Sequence, residues 1–153
     1  KTLPSRARRL VKIDEVIISS IEGSLQKCGL ITKNYHNAIC STGFYILSSS
    51  LISSEILLVY FKSFLMQEIM KQHCSGTILT SMNKDDFLQI EIPIFEETLQ
   101  KEIGTKIRQS FALKTTSKRL LSLAKTAVER AIESSEAEAL AYIEQEMSQL
   151  DIS

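Results

Sequence analysis

No stretch of this chain stays apolar for the roughly 20 residues that a membrane-crossing helix needs. The richest run, residues 56–70, is interrupted by Lys62, Gln67 and Glu68. Only three cysteines are present, Cys28, Cys40 and Cys74, an odd number with no close pairing. That excludes a disulfide-stapled miniprotein and points to reduced thiols in a cytoplasm. With five glycines and two prolines the chain cannot be collagen-like. It has no Met at its start and no signal-like segment, so it reads as a fragment. What is there is ordinary: 153 residues, 44% apolar and 24% charged, enough to bury a core. One body with a helical extension fits that length.

Chemistry-bearing residues are equally sparse. The only histidines are His36 and His73. His73 sits beside Cys74 at an expected helix end, where adjacent side chains diverge by about 100° and form no dyad. His36 reaches Cys40 only if its loop folds back. There is no Gly-x-Ser-x-Gly elbow, phosphate loop or dinucleotide fingerprint. Cys and His lack the short spacing of a zinc site, and Cys40 is expected to be a small buried hydrophobe. Asp85-Asp86 and Glu96-Glu97 suit helix N-termini. No catalytic residue, metal ligand or cofactor is therefore assigned.

The net charge of zero hides blocks. Residues 1–12 carry +5, residues 13–105 carry −5, residues 106–130 carry +6 and residues 131–153 carry −6. Phosphate-bearing or acidic partners exploit such separation, although basic residues can equally be the solvated face of a helix.

Local patterns divide the chain. Val16-Ile17-Ile18 is a strand preceded by a turn at Asp14-Glu15. Gly23 marks a turn or a close backbone approach. Residues 28–32 form a second strand and residues 34–37 a loop. Ala38-Ile39-Cys40 and Phe44-Tyr45-Ile46-Leu47 are two strand pieces separated by Ser41-Thr42-Gly43. A single helix capped by Ser53 or Ser54 runs to about His73, ended by Ser75-Gly76. A helical turn is expected at residues 84–88, and residues 90–94 alternate like an edge strand containing Pro93. Residues 98–133 hold no proline and only Gly104. A helix of that length extends about 50 Å, so its stripe of Ile103, Ile107, Phe111, Leu121, Ala124, Val128 and Ala131 calls for a partner helix. Ser135 and Glu138 form a capping box for a final helix with Leu140, Ile143, Met147 and Leu150 inward. The fold class is α+β: a small mixed or antiparallel sheet with a packed helix, followed by a long helix of coiled-coil type.

Arg6, Arg8 and Arg9 cluster just before a strand, where arginine can hold phosphates or read guanine. Ser20, Gly23, Ser24, Gln26 and Lys27 follow that strand, and Gly76, Thr77, Ser81 and Asn83 lie in a second polar loop. These are the candidate DNA-binding residues. The alternative is that they are polar loops beside a sheet, which are common.

The order of these pieces resembles the specificity subunit of type I restriction–modification enzymes: the later part of one target recognition domain and the long helix after it. Residues 11–19 resemble the family's basic residue, turn, Asp and apolar strand, with Asp14-Glu15 where Gly-Asp is usual. Residues 23–30 resemble the loop and strand that follow, and residues 38–47 the strand pair with its glycine. Residues 55–70 resemble the aromatic-rich helix. Ser75-Gly76-Thr77 and residues 81–88 resemble the glycine loop and the turn after it. Glu91-Ile92-Pro93-Ile94 with Glu96, Glu97 and Gln100 resembles the junction that starts the long helix, with Phe95 replacing a second proline. The match covers about residues 9–133.

The resemblance implies a non-enzymatic subunit. Residues 1–97 would be a partial recognition domain, 98–133 a spacer and dimerisation helix, and 134–153 an acidic helix or tail. The domain would contact one half of a split double-stranded DNA target. The long helix would pair with that of a second recognition unit, in the same subunit or a second copy. Methyltransferase subunits, and in the full assembly a restriction subunit, would dock outside, with no membrane involved. The competing reading is a coiled-coil scaffold without DNA contact.

Overall fold

The computed structural model describes residues 5–76 and 80–149. The chain divides after residue 105 into two units. The first opens with five strands, β1 (Ala7–Leu10), β2 (Val16–Ser19), β3 (Cys28–Leu30), β4 (Ile39–Ser41) and β5 (Phe44–Leu47). Two helices follow, α1 (Ser54–Lys62) and α2 (Phe64–Gln72), then the short strands β6 (Cys74–Ser75) and β7 (Ser81–Met82) and the helix α3 (Lys84–Leu88). The long helix α4 (Glu97–Glu133) crosses into the second unit, which ends with α5 (Glu136–Ser148).

β2 is the central strand of a three-stranded antiparallel sheet, between β3 and β5. Its β-branched residues alternate as the pleat requires: Val16 and Ile18 are fully buried, while Ile17 is half-exposed on the other face. The turn before it places Asp14 at φ 65°, a left-handed conformation that Asp tolerates better than most side chains. The Asp14 N–H donates to the Ile31 carbonyl at 2.9 Å, and the Ile31 N–H to Glu15 at 2.8 Å. A separate ribbon pairs β1 antiparallel with β4. Its register steps from Ala7↔Ser41 to Arg9↔Cys40, which makes Arg8 the extra residue of a β-bulge.

α1 lies over β2 and β3 and buries Ile56, Leu57, Leu58 and Phe61. The single helix expected to His73 is broken at Ser63, which has ψ 148°. Ser63 Oγ donates to the Tyr60 carbonyl at 2.7 Å and accepts from the Met66 N–H at 3.3 Å, so one hydroxyl ends α1 and caps α2. Gln67 Nε2 donates to the Phe61 carbonyl at 2.6 Å, satisfying a group the break sets loose. Beyond α2, Cys74 and Ser75 are strand residues, not the expected helix terminator. The chain turns at Gly76, at φ 127°. Asn83 caps α3 by accepting from the Asp86 N–H at 2.8 Å. Phe87 of α3 stacks on Tyr45 with centroids 4.4 Å apart and lies 5.9 Å from Phe61, joining helix and sheet in one core.

Residues 90–94 are not a strand. Ile90 and Ile92 turn inward and Glu91 outward, as the alternation requires, but the backbone is held otherwise. The Ile90 N–H donates to Phe87 at 3.3 Å and the Tyr60 hydroxyl to the Glu91 carbonyl at 3.2 Å, while Pro93 has no N–H for a ladder. Gln100 then fastens the start of α4. Its Nε2 donates to the Leu51 and Phe95 carbonyls at 3.2 and 2.9 Å, and its Oε1 accepts from the Ser53 N–H at 3.0 Å.

In the second unit α5 folds back on the end of α4. Ser135 Oγ accepts from the Glu138 N–H at 3.3 Å. Ala127 and Ala139 are buried, and the Arg130 guanidinium stands 4.1 Å from the Tyr142 ring centroid. The inward face of α5 is therefore Ala139, Tyr142, Ile143 and Glu146, of which only Ile143 belongs to the expected set. Leu140 is 61% exposed, Met147 is also exposed, and Leu150 lies outside the described residues.

Candidate nucleic-acid interface

The chain leaves β2 at Ser20, and three separate loops meet there. The Ser20 N–H and Oγ both donate to the Gly43 carbonyl, each at 3.0 Å, tying in the turn between β4 and β5. On the other side the Met82 N–H donates to the Ser20 carbonyl at 2.8 Å. Ile21 bridges Ser81, and the Glu22 N–H donates to Thr80 at 3.0 Å. The Thr42 N–H donates to the Arg6 carbonyl at 2.8 Å, adding the start of the β1–β4 ribbon. Arg6, the Thr42-Gly43 turn, the loop after β2 and the start of β7 thus share one edge of the first unit.

The side chains at this edge divide by role. Arg6, Arg8, Gln26 and Lys27 are exposed. Arg9 is exposed too, but its Nη1 donates to the Phe44 carbonyl at 2.6 Å and anchors the ribbon to β5. The bulge sets Arg8 out of step with its neighbours, a recurrent way to re-aim a side chain. Ser20 and Ser24 turn inward. Ser24 Oγ lies 2.7 Å from Ser19 Oγ, which in turn accepts from the Ile21 N–H at 3.2 Å. Asn83 is occupied as the α3 cap, with its Nδ2 on the Asp86 carboxylate. Ser20 and Ser24 build the edge from within, and Asn83 is exposed with its amide engaged in the cap. Gly23 is exposed, and a Cβ there would meet nothing within 4 Å. Its bare backbone is open to a ligand, and packing does not demand it. Gly76 accepts from Thr80 Oγ1 at 3.5 Å, and Thr77 lies outside the described residues. Sequence reasoning missed Thr42 and Gly43. Their signal was the glycine turn, read only as a separator between strand pieces.

The thiols are placed as packing groups. Burial pushes Cys28 up to about 11, against a smaller opposing pull from the Lys62 ammonium. Burial also raises Cys40, with Arg9 opposing, and Cys74, with the Glu22 carboxylate adding to the rise. Cys40 is half-buried, not fully so as expected. His36 is engaged with another partner, its Nδ1 accepting from the Ile13 N–H at 3.1 Å. Among the described residues, no group of three His, Cys, Asp or Glu side chains is arranged to hold a metal ion, and no helix is long and apolar enough to cross a membrane.

The expected stripe of the long helix is unevenly covered. Ile103, Ile107, Phe111 and Ala131 are half-buried, whereas Leu121, Ala124 and Val128 are exposed. Beside α5 these small and apolar residues open a groove of about 410 Å³, lined by Ala124, Ala127, Val128, Ala131, Glu136, Ala139, Leu140 and Ile143.

No protein-family model and no curated protein matches the sequence. Solved structures do match. One is the HsdS subunit from Thermoanaerobacter tengcongensis, 22% identical over 85% of this chain, with a TM-score of 0.59. Another comes from work on complex assembly and conformational transition of the type I R-M system, 19% identical over 85% of this chain, also with a TM-score of 0.59. The chain covers 34% of each of those chains. At this identity the likeness is one of fold: small antiparallel sheets, packed helices and a long helix.

Proposed function

We propose that the chain is the DNA-reading part of a specificity subunit of a type I restriction–modification system, non-catalytic and cytoplasmic. In this reading the first unit recognises one half of a bipartite target. The long helix pairs with a second recognition unit, and methyltransferase subunits dock on the assembly. In this reading residues 1–97 are part of a recognition domain, 98–133 the spacer and dimerisation helix, and 134–153 an acidic helix or tail. The observation that carries this is the convergence at Ser20. It sets exposed Arg6, Arg8, Gln26 and Lys27, with the open backbone of Gly23, along one edge of a fold shared with HsdS. Cationic and amide side chains beside bare backbone suit phosphate and base-edge contacts.

The test is to neutralise Arg6, Arg8 and Arg9 together in the complete subunit and compare cognate with scrambled DNA at two salt concentrations. Each phosphate-binding cation removed flattens the salt slope by about one ion, and removal of a base-reading arginine costs about 1–3 kcal/mol on cognate DNA alone. Arg9, anchored to Phe44, is expected to contribute least. Unchanged affinity and slope remove the cluster from the interface.

A coiled-coil scaffold without DNA contact is the second reading, favoured by the apolar groove beside α5. DNA binding that is absent at every salt concentration, with helix pairing intact, selects it.

A further inference from the structure

The break at Ser63 has an outward consequence. It leaves Phe64 81% exposed and Leu65 67% exposed on the first turn of α2. A phenylalanine in solvent gains nothing for the fold. The charges around it are mixed, with lysines outnumbering acids. Lys62 precedes the break, is exposed, and acts electrostatically on Cys28, the residue after Lys27. The same turn is fastened to the loop after β2, because Gln67 Nε2 donates to the Leu25 carbonyl at 3.3 Å. Leu25 is followed by the exposed Gln26 and Lys27, so the loop that carries them is fastened to the turn that carries the exposed ring. On α2 itself Glu68 shares the face of Phe64, with Lys71 one turn beyond.

We infer that Phe64 is a nucleic-acid contact, a ring that stacks on or wedges between bases while Lys27 and Lys62 hold the flanking phosphates. This rests on the DNA-recognition reading and adds a residue to it. The cations favour DNA over a protein partner, because bases offer a π-face to the ring and phosphates offer charge to the lysines.

The chain contains no tryptophan, so F64W creates a single reporter at this position. The full chain is titrated at low salt with a mixed-sequence DNA duplex, while DNA anisotropy reports binding independently. Stacking quenches the Trp emission with the same midpoint as the anisotropy. In parallel, F64A weakens binding about tenfold without changing the salt slope, since no charge is removed. Binding with unchanged emission and an unaffected F64A overturns the proposal alone and leaves the DNA reading standing. A concentration-dependent emission shift without DNA assigns the ring to a protein contact and also overturns it. Wild-type chain that fails to bind DNA at any salt concentration overturns both.

Discussion

Two glycines of the candidate edge look alike in the sequence and differ in kind. Gly76 sits at φ 127°, where a side chain is strained whatever space surrounds it. Gly23 has no such backbone demand and no neighbour within 4 Å of a Cβ. Gly76→Ala is therefore expected to destabilise the chain by about 1–3 kcal/mol, read as a lower denaturation midpoint. Gly23→Ala is expected to leave the midpoint within about 0.5 kcal/mol. If the backbone there is approached by DNA, its cost falls on affinity alone. A midpoint that drops with Gly23→Ala, or affinity that does not, removes Gly23 from the interface. Spacing could not separate the two, because a glycine letter records neither φ nor the empty volume outside the loop. The same holds for serines and asparagines. Ser20, Ser24 and Asn83 read as ligand-facing polar residues, yet their side chains satisfy backbone and side-chain partners that only the folded loops bring near.

Elements were legible wherever one pattern dominated. The β-branched run at Val16, the serine cap at Ser53, the Asn83 turn and the proline-free stretch of α4 each carry their own signal. The misses came where tertiary partners decided. Apolar spacing runs straight through Ser63, so the break depends on Ser63 Oγ and Gln67 finding carbonyls that the pattern does not encode. Residues 90–94 alternate but meet no strand. In α5 the larger residues Leu140 and Met147 were expected inside, but Ala139 is the buried residue there. Val128 and Leu140 are exposed at the groove, and Leu121 is exposed two turns before Val128 on α4. If the groove receives a partner helix, placing Glu at both Leu121 and Val128 converts a self-associating chain to monomers by sedimentation. Both positions are more than half exposed, so helicity and melting should change little. An unchanged mass, or a wild-type chain already monomeric with no partner helix in the intact subunit, counts against pairing through this face.

At the scale of the whole molecule, the strongest feature is the arrangement of charge. Basic residues occupy 1–12 and 106–130, acidic residues dominate between them, and residues 131–153 carry acids alone, for a total of zero and an isoelectric point near 6.9. α5 carries acids back along the end of the basic helix. With no net charge near neutral pH, two copies have no long-range repulsion to keep them apart, while a basic block of one can still attract an acidic block of another. Added salt screens such attraction over about 8 Å at physiological strength. The chain should therefore behave as a salting-in protein, clearest in moderate salt and turbid in its absence. If the chain reads DNA as proposed, its handling and binding conditions pull in opposite directions, since the ions that keep copies dispersed also compete for phosphates.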